Sequence, residues 1–282
     1  MGAKRIFRRL CMALMAMMPL NELAAAAAQP VALVTGSNRG IGLALVQELA
    51  ANGWKVIATC RSPAEAEELR KLSARNPKVI VEPLDVADNA AIDALATKYR
   101  GEPIDLLVSN AGIVGAYEKE TLKNLDADNF QDVMRVNAYA PMRLSAAFLQ
   151  NVQASEQKKI VAITSLLGSI GLAQQTGERA RKASSPAPSR ATDTYFYRMS
   201  KSALNMGMRV LQNELRPAGI SVGIFSPGIV ATDARAGRDT GAPPPDLLTP
   251  KQSAQALMKL IDGLNPENAG RYLEYTNEEL PW

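Results

Sequence analysis

The sequence predicts an α/β fold: a three-layer, doubly wound parallel sheet of about seven strands in a single domain. Short apolar runs of the kind found in buried strands alternate along the chain with helical patterns. The first run ends in a glycine-rich turn that opens a helix, and most residues of unusual chemistry follow the ends of later runs. Such alternation implies parallel strands joined by right-handed crossovers.

The strand pattern occurs six times, and helical patterns separate the runs. The strands are expected at 31–35, 55–59, 78–81, 104–108, 159–164 and 220–225. Helices are expected at 43–49, from 62 to about 73, from 87 through 99, from Asp126 past Asn137 and Pro141, from 195 to about 215, and after Thr249 and Pro250. Loops at the carboxyl ends of strands line the ligand crevice in such sheets.

The chain has 282 residues, which suits one large domain at 29–282 and is short for two. Residues 1–28 resemble a secretory signal peptide: four basic residues, an apolar stretch, and small residues at 24–28. Pro19 and Asn21 interrupt the stretch before about 20 apolar residues accumulate, so no stable membrane span is expected. The leader predicts export to the periplasm. A cytoplasmic protein with a disordered extension is the alternative, and Arg8 with Arg9 raises a twin-arginine signal.

Composition excludes several classes of function. Of 32 basic and 28 acidic residues, the leader holds four and one, so the domain carries a net charge near +1 and nucleic-acid binding is not indicated. The chain has no histidine, which excludes a Ser-His-Asp hydrolase and a His-ligated zinc. Its two cysteines are Cys11 and Cys60, so the domain has no internal disulfide and no metal site is expected.

The glycine turn after the first run predicts a dinucleotide site. Gly36 allows a tight turn, while Gly40 and Gly42 let a diphosphate approach backbone N–H groups at a helix N-terminus. A glycine-rich turn without a ligand is the alternative. The predicted contacts are Gly36, Ser37, Asn38, Arg39, Gly40, Ile41 and Gly42.

Tyr197 and Lys201 lie one turn apart on a predicted helix, so both side chains can enter one cleft. An ammonium near a phenol stabilises the phenolate and lowers a pKa that is about 10 in water. Proton transfer then comes within reach of neutral pH. The same spacing is common on solvated helix faces, so the pair depends on the motifs around it.

Six motifs in order resemble the short-chain dehydrogenase/reductase family, which implies a Rossmann fold for 31–282. They are the glycine turn at 36–42, the run Asn110, Ala111 and Gly112, then Asn137, Ser165, the pair Tyr197 and Lys201, and Pro227 with Gly228 and Thr232. Residues 197–205 and 279–282 are similar to the C-factor, sniffer and carbonyl reductase branch.

The resemblance implies four catalytic residues. Tyr197 would donate a proton to the carbonyl oxygen in reduction, and Lys201 would hold the nicotinamide ribose and lower the pKa of Tyr197. Ser165 would hydrogen-bond the substrate oxygen. Asn137 would position a water that relays protons from Lys201. Placed O–H donors stabilise the negative charge that hydride transfer leaves on oxygen.

Further cofactor contacts are implied at Asp85, Val86, Asn110, Ala111, Gly112, Pro227, Gly228, Val230 and Thr232, beside Tyr197 and Lys201. The cofactor is predicted from charge. The second strand is followed by Arg61 with no acid before Glu65, and Arg39 lies in the glycine turn. Two guanidinium groups favour the 2′-phosphate of NADP(H) over the ribose hydroxyl of NAD(H). The alternative is that Arg61 is only a solvated surface charge.

We therefore predict an NADPH-dependent oxidoreductase that reduces an aldehyde or ketone of small size, as a dimer or tetramer. The apolar faces of the helices carrying Asn137 and Tyr197 commonly form dimer contacts in the resembled family. The alternatives are a dinucleotide-binding signalling protein of the C-factor type and a 3-oxoacyl carrier-protein reductase. An intact set of four catalytic residues favours an enzyme.

The sequence departs from the family between Ser165 and Tyr197, where relatives usually have far fewer residues. The excess is a Ser/Pro/Ala-rich insertion at 174–194, interpreted as a tolerated surface loop or as a basic flap over the site. A second lid candidate spans 234–246. The insertion leaves open whether Ser165 and Tyr197 meet.

Overall fold

The structure is a computed structural model that describes residues 29–174, 194–232 and 246–282. The predicted leader, nearly all of the insertion at 174–194 and most of the lid candidate at 234–246 lie outside the described residues. Within the described ranges, no helix has both the length and the apolar character needed to cross a membrane.

Seven parallel strands form the central sheet, in the order β3-β2-β1-β4-β7-β8-β9. They are β1 (Val31–Thr35), β2 (Lys55–Cys60), β3 (Val79–Pro83), β4 (Leu106–Ser109), β7 (Lys159–Ile163), β8 (Ser221–Ser226) and β9 (Tyr272–Glu274). A separate antiparallel hairpin consists of β5 (Glu120–Thr121) and β6 (Asn124–Leu125). The predicted fold class is confirmed, and the six predicted strands agree with the observed ones to within two residues.

Helices cover both faces of the sheet. They are α1 (Gly40–Ala51), α2 (Glu67–Arg75), α3 (Asn89–Lys98), α4 (Ala127–Met134), α5 (Ala140–Ala147), α6 (Leu149–Gln153), α7 (Tyr195–Leu215) and α8 (Pro250–Gly263). Alternate strand residues separate two cores: Ala32 and Val34 pack with α1, α2 and α8, while Leu33 packs with α3, α5, α6 and α7. The burial of strands on both faces explains their unbroken apolar runs.

Side-chain caps begin two helices where the sequence placed them, but the helix predicted from Ser62 begins only at Glu67, after a 3-10 turn at Pro63–Glu65, and neither Ser62 nor Ala66 supplies a side-chain cap. Asp126 Oδ1 accepts the N–H of Asn129 at 2.8 Å at the start of α4. Thr249 and Gln252 form a reciprocal capping box at the start of α8. Such caps satisfy N–H groups that lack partners inside the helix.

The long helix expected after Asp126 is interrupted at Asn137. A π turn, Arg135–Tyr139, joins α4 to α5. Pro141 accounts for the interruption because it has no N–H to donate to the carbonyl of Asn137, and its ring crowds that carbonyl. The turn places Asn137 in the interior, with its side chain buried.

Candidate active site

Most of the predicted site residues lie after the carboxyl ends of the strands, whereas Asn137 lies in the π turn and Tyr197 and Lys201 lie on α7. The chain order along the sheet reverses between β1 and β4. A crevice at such a reversal is where ligands bind in open parallel sheets. The strand order therefore identifies the loops after β1 and β4 as the centre of the candidate site.

The glycine turn is packed tightly against the loop after β4. Gly36 has φ +67°, and a Cβ there would lie 2.8 Å from the Cα of Ala111. A Cβ on Gly42 would lie 2.1 Å from the carbonyl oxygen of Gly36. Both glycines are thus required for close packing within the turn, and Gly42 is buried. Gly40, with φ +55°, instead faces Thr232 from the loop after β8.

Asn110 ties the two loops together. Its side-chain Nδ2 donates to the carbonyl oxygens of Thr35 and Gly36 at 2.9 and 3.1 Å. The hydroxyl of Thr35 accepts the backbone N–H groups of Asn110 and Ala111 at 3.0 and 3.1 Å. The sequence identified Asn110 as a cofactor contact, and the structure gives it this additional task of holding the glycine turn.

The start of α1 is suited to an anion. Asn38 and Arg39 are exposed, Arg39 occupies the N-cap position, and the first helical turn contains no acidic residue. The N–H groups of a first helical turn carry a partial positive charge. Ser37 differs from its neighbours because it is fully buried and donates its hydroxyl to the carbonyl of Val34 at 2.8 Å.

The loops after β2 and β3 form the next corner of the site. Arg61 is exposed directly after β2, whose last residues pair with the last residues of β1. Asp85 uses its carboxylate to accept the N–H of Ala87 at 2.9 Å, and Val86 is buried. Arg39 and Arg61 therefore lie in the segments that follow two adjacent strands, β1 and β2.

The loop after β8 closes the opposite side of the crevice. The carbonyl of Pro227 accepts the hydroxyl of Ser253 at 2.7 Å, and Gly228 has φ +79° with the ring of Tyr275 against it. Val230 pairs with Leu248 in a short parallel bridge. These contacts hold the segment that ends at Thr232 beside the glycine turn.

Asn137 connects α4 and α5 to the loop after β4 and to α7. Its Oδ1 accepts the N–H of Ile113 at 2.8 Å, and its Nδ2 donates to the carbonyl of Ile113 at 2.7 Å. The same Nδ2 lies 3.0 Å from the hydroxyl oxygen of Ser200. The side chain of Asn137 is therefore used for contacts within the protein, and Pro141 cannot supply the N–H that its backbone carbonyl would accept in an α-helix.

Lys201 is buried next to Tyr197. Its Nζ donates to the carbonyl of Ile163 at 2.9 Å and lies 5.8 Å from the centre of the Tyr197 ring. Burial lowers the pKa of the Lys201 ammonium to about 8. A Cβ on Gly112 would lie 3.9 Å from the Nζ, so the loop after β4 passes directly over this lysine. Tyr197 and Lys201 therefore do not lie on a solvated helix face.

The short turn that follows Ser165 packs on α7 despite the insertion. Ser165 caps a short 3-10 turn, Leu166–Gly168, by accepting the N–H of Leu167 at 3.2 Å. A Cβ on Gly168 would lie 3.0 Å from the Cβ of Lys201. The insertion therefore leaves the contact between this turn and the helix in place.

Three residues of the site were not identified from the sequence. The hydroxyl of Ser200 accepts a hydrogen bond from Asn137 Nδ2 and donates one to the carbonyl of Tyr197 at 2.7 Å. Asn205 accepts the hydroxyl of Thr164 at 2.6 Å. Tyr272 donates its hydroxyl to the carbonyl of Ser165. The available signal for Asn205 was a polar residue on the predicted buried face of a helix. Tyr272 gave no such signal, because it lies far from Ser165 in the sequence.

Comparison with known proteins places the chain in a family. The family model described as short chain dehydrogenase matches residues 30–184, which include the glycine turn, Asn110, Asn137 and Ser165. The match ends before Tyr197 and Lys201. The chain belongs to the short-chain dehydrogenase/reductase family, as its motifs predicted.

Individual relatives differ in their named activities. The chain is 33% identical over 189 residues to the C-signal protein of Myxococcus xanthus. This alignment covers 67% of this chain and 99% of the C-signal protein. It is 32% identical over 205 residues to the 3-oxoacyl-acyl-carrier-protein reductase of Escherichia coli, and the alignment covers 72% of this chain and 74% of the reductase. The crystal structure of NADPH-bound carbonyl reductase from chicken fatty liver is similar to this fold, with a TM-score of 0.77 and 31% identity. The match covers 90% of this chain and 99% of the reductase chain.

Proposed function

We propose that this oxidoreductase reduces the carbonyl group of a small aldehyde or ketone with NADPH, with Tyr197 as the proton donor. The observation that carries the proposal is the buried Lys201 ammonium beside the Tyr197 ring, at the edge where the glycine turn begins. Similarity to an NADPH-bound carbonyl reductase over 90% of this chain supports it.

The glycine turn fits the diphosphate of a dinucleotide. Gly36 and Gly42 leave no room for side chains, and the N-terminus of α1 carries no acidic residue in its first turn. We propose that Arg39 and Arg61 bind the 2′-phosphate and that Asp85 and Val86 flank the adenine. Bound NADPH would supply the hydride.

The protein's own groups would stabilise the oxygen that becomes an alkoxide. Tyr197 would donate its phenolic proton to this oxygen, and Ser165 would donate a hydrogen bond to it. Lys201 would favour the phenolate that remains. Its lowered pKa of about 8 makes it able to pass on a proton near neutral pH, by way of the Asn137 carbonyl and water.

Similarity to the C-signal protein supports a second candidate, a signalling protein that binds a dinucleotide without turnover. Burying an ammonium costs free energy, and dinucleotide binding alone does not require a phenol beside it. We therefore favour the enzyme. A carrier-protein reductase is the third candidate, and similarity to the 3-oxoacyl-acyl-carrier-protein reductase of Escherichia coli supports it.

The proposal is tested by following the loss of NADPH absorbance with a panel of aldehydes, quinones and ketones. Tyr197→Phe should lower kcat by at least about 100-fold because it removes the proton donor. Tyr195→Phe is the matched control, since Tyr195 lies two residues earlier on α7 and is exposed. Absence of turnover with the whole panel, or equal rates for both variants, would refute the reductase.

The cofactor part is tested in the same assay. Arg61→Asp should lower kcat/KM for NADPH by about tenfold or more and improve that for NADH, because it replaces a phosphate partner by a carboxylate. Arg75→Asp changes an exposed arginine at the end of α2 and should leave the ratio unchanged. An unaltered ratio for Arg61→Asp would contradict the assignment.

Assembly and location complete the proposal. We propose a homo-oligomer formed through the outer face of α7, and export directed by residues 1–28, with a cytoplasmic protein as the alternative. An exported reductase would have to carry its cofactor already bound, since free NADPH is cytosolic. Mass spectrometry of the mature protein distinguishes the two locations, because cleavage on export removes the leader at 1–28 as a whole, whereas a cytoplasmic protein keeps it.

A further inference from the structure

The turn that carries Ser165 is held from one side by α7. Lys201 Nζ binds the carbonyl of Ile163, and the hydroxyl of Ser202 donates to the carbonyl of Gly168 at 2.9 Å. Asn205 accepts the hydroxyl of Thr164 at 2.6 Å. The backbone on both sides of Ser165 is therefore fixed to α7.

The C-terminal segment holds the same turn from the other side. Tyr272, on β9, donates its hydroxyl to the carbonyl of Ser165 itself. The hydroxyl of Ser169 donates to the carbonyl of Pro281 at 2.5 Å, and the N–H of Gly171 donates to the carbonyl of Trp282 at 2.7 Å. The tail returns to β9, where the N–H of Leu280 binds the carbonyl of Tyr272 at 2.8 Å.

Tyr272 is well suited to be a permanent donor. Its side chain is fully buried, and burial raises the pKa of the phenol well above its usual value. The carbonyl that it binds also accepts the N–H of Gly168 at 2.9 Å, the bond that closes the 3-10 turn. The hydroxyl of Tyr272 therefore holds the residue whose side chain caps this turn.

The position of Ser165 matters because a hydrogen-bond donor stabilises an oxyanion only at the right distance. A displacement of about 1 Å at a catalytic group can cost about 100-fold in rate. We propose that Tyr272 is a positioning residue that holds the Ser165 carbonyl and thereby directs the Ser165 hydroxyl toward the substrate oxygen. This inference rests on the proposed reductase function.

Tyr272→Phe removes only the hydroxyl and tests the inference. We expect kcat for carbonyl reduction to fall about tenfold, with the KM for NADPH changed less than twofold, because the cofactor contacts remain. Tyr99→Phe is the matched control: Tyr99 is also buried, and its hydroxyl binds Glu82 at 2.8 Å on β3, the strand at the opposite edge of the sheet from β9. It should leave kcat within twofold of the original.

A double-mutant cycle separates positioning from general destabilisation. If Tyr272 acts through Ser165, adding Tyr272→Phe to Ser165→Ala should change kcat less than twofold further. Equal kcat for Tyr272→Phe and Tyr99→Phe would overturn the inference, and so would losses that multiply fully in the double variant.

Hydrogen exchange keeps this test separate from that of the proposed function. The amides of residues 166–171 should exchange faster in Tyr272→Phe than in Tyr99→Phe and the unchanged protein. If the unchanged protein reduces no carbonyl compound, faster exchange supports the tie to Ser165 while the reductase proposal fails. Exchange at the rate of the unchanged protein would overturn the tie itself.

Discussion

At the level of single residues, Lys201 is a buried ammonium whose burial costs stability. Its folded pKa of about 8 lies below the value of 10.5 for a solvated lysine because burial penalises the charged form. Between these two values the unfolded chain holds a proton that the folded chain has released. The free energy of unfolding therefore rises with pH between about pH 8 and pH 10.5.

We therefore predict that the free energies of unfolding of the protein and of Lys201→Met differ by an amount that depends on pH. The difference between a pKa of 10.5 in the unfolded chain and one of about 8 in the folded protein corresponds to about 3 kcal/mol. The original protein should gain about this much stability relative to the variant as pH rises from about 8 to about 10.5. Urea unfolding of both proteins across this range measures it. A constant difference would mean that Lys201 is solvated in the folded protein.

The pairing of Tyr197 with Lys201 was predictable because helix spacing fixes which side chains share a face. The burial of Lys201 was not, because it depends on Gly112 and Gly168, which approach α7 from distant parts of the chain. Asn137 was predicted as a functional residue. Its clamp on Ile113 depends on a π turn that sequence periodicity does not reveal.

At the level of secondary-structure elements, the start of α7 has a cap supplied from outside the helix. Thr194 at the N-cap position makes no capping bond with its side chain. Instead, Glu120 on β5 is fully buried, and its Oε2 accepts the N–H of Phe196 at 2.8 Å. The hairpin of β5 and β6 thus fixes the start of α7.

Removal of this cap should destabilise the protein. Glu120→Ala leaves a buried N–H without an acceptor near a positive helix end, at a cost of about 1–3 kcal/mol. Glu120→Gln keeps an acceptor and should lose less. Denaturant unfolding provides the measurement, with Glu118→Ala as an exposed control in the same loop. Equal stabilities of Glu120→Ala and Glu118→Ala would show that the cap contributes little.

The elements differ in how far sequence predicts them. The six strands with unbroken apolar runs, the cap at Asp126 and the capping box at Thr249 were predictable, because local patterns determine them. Strand β9 and the hairpin were missed. Both are short, and each is ordered by contacts with residues far away in sequence, such as that of Tyr272 with Ser165 and that of Glu120 with Phe196.

On the scale of the whole molecule, the outer face of α7 carries exposed apolar side chains. Met199, Met206 and Val210 are 49%, 66% and 53% exposed. Their spacing places them on one face of the helix, opposite the buried Leu204 and Met208. A continuous exposed apolar stripe of this kind is typical of an interface between proteins.

A second copy of the chain, related by a two-fold axis, would bring the same stripe against itself. Met206→Lys should then place two ammonium groups in or near the interface and shift the protein to monomers, since an unpaired charge is costly to bury. Sedimentation at micromolar concentration measures the change, and circular dichroism confirms that the fold is kept. Leu122→Lys, at a 79% exposed position on the hairpin, is the control and should keep the assembly of the unchanged protein. A monomeric unchanged protein, or a Met206→Lys variant with undiminished assembly, would remove α7 as the contact.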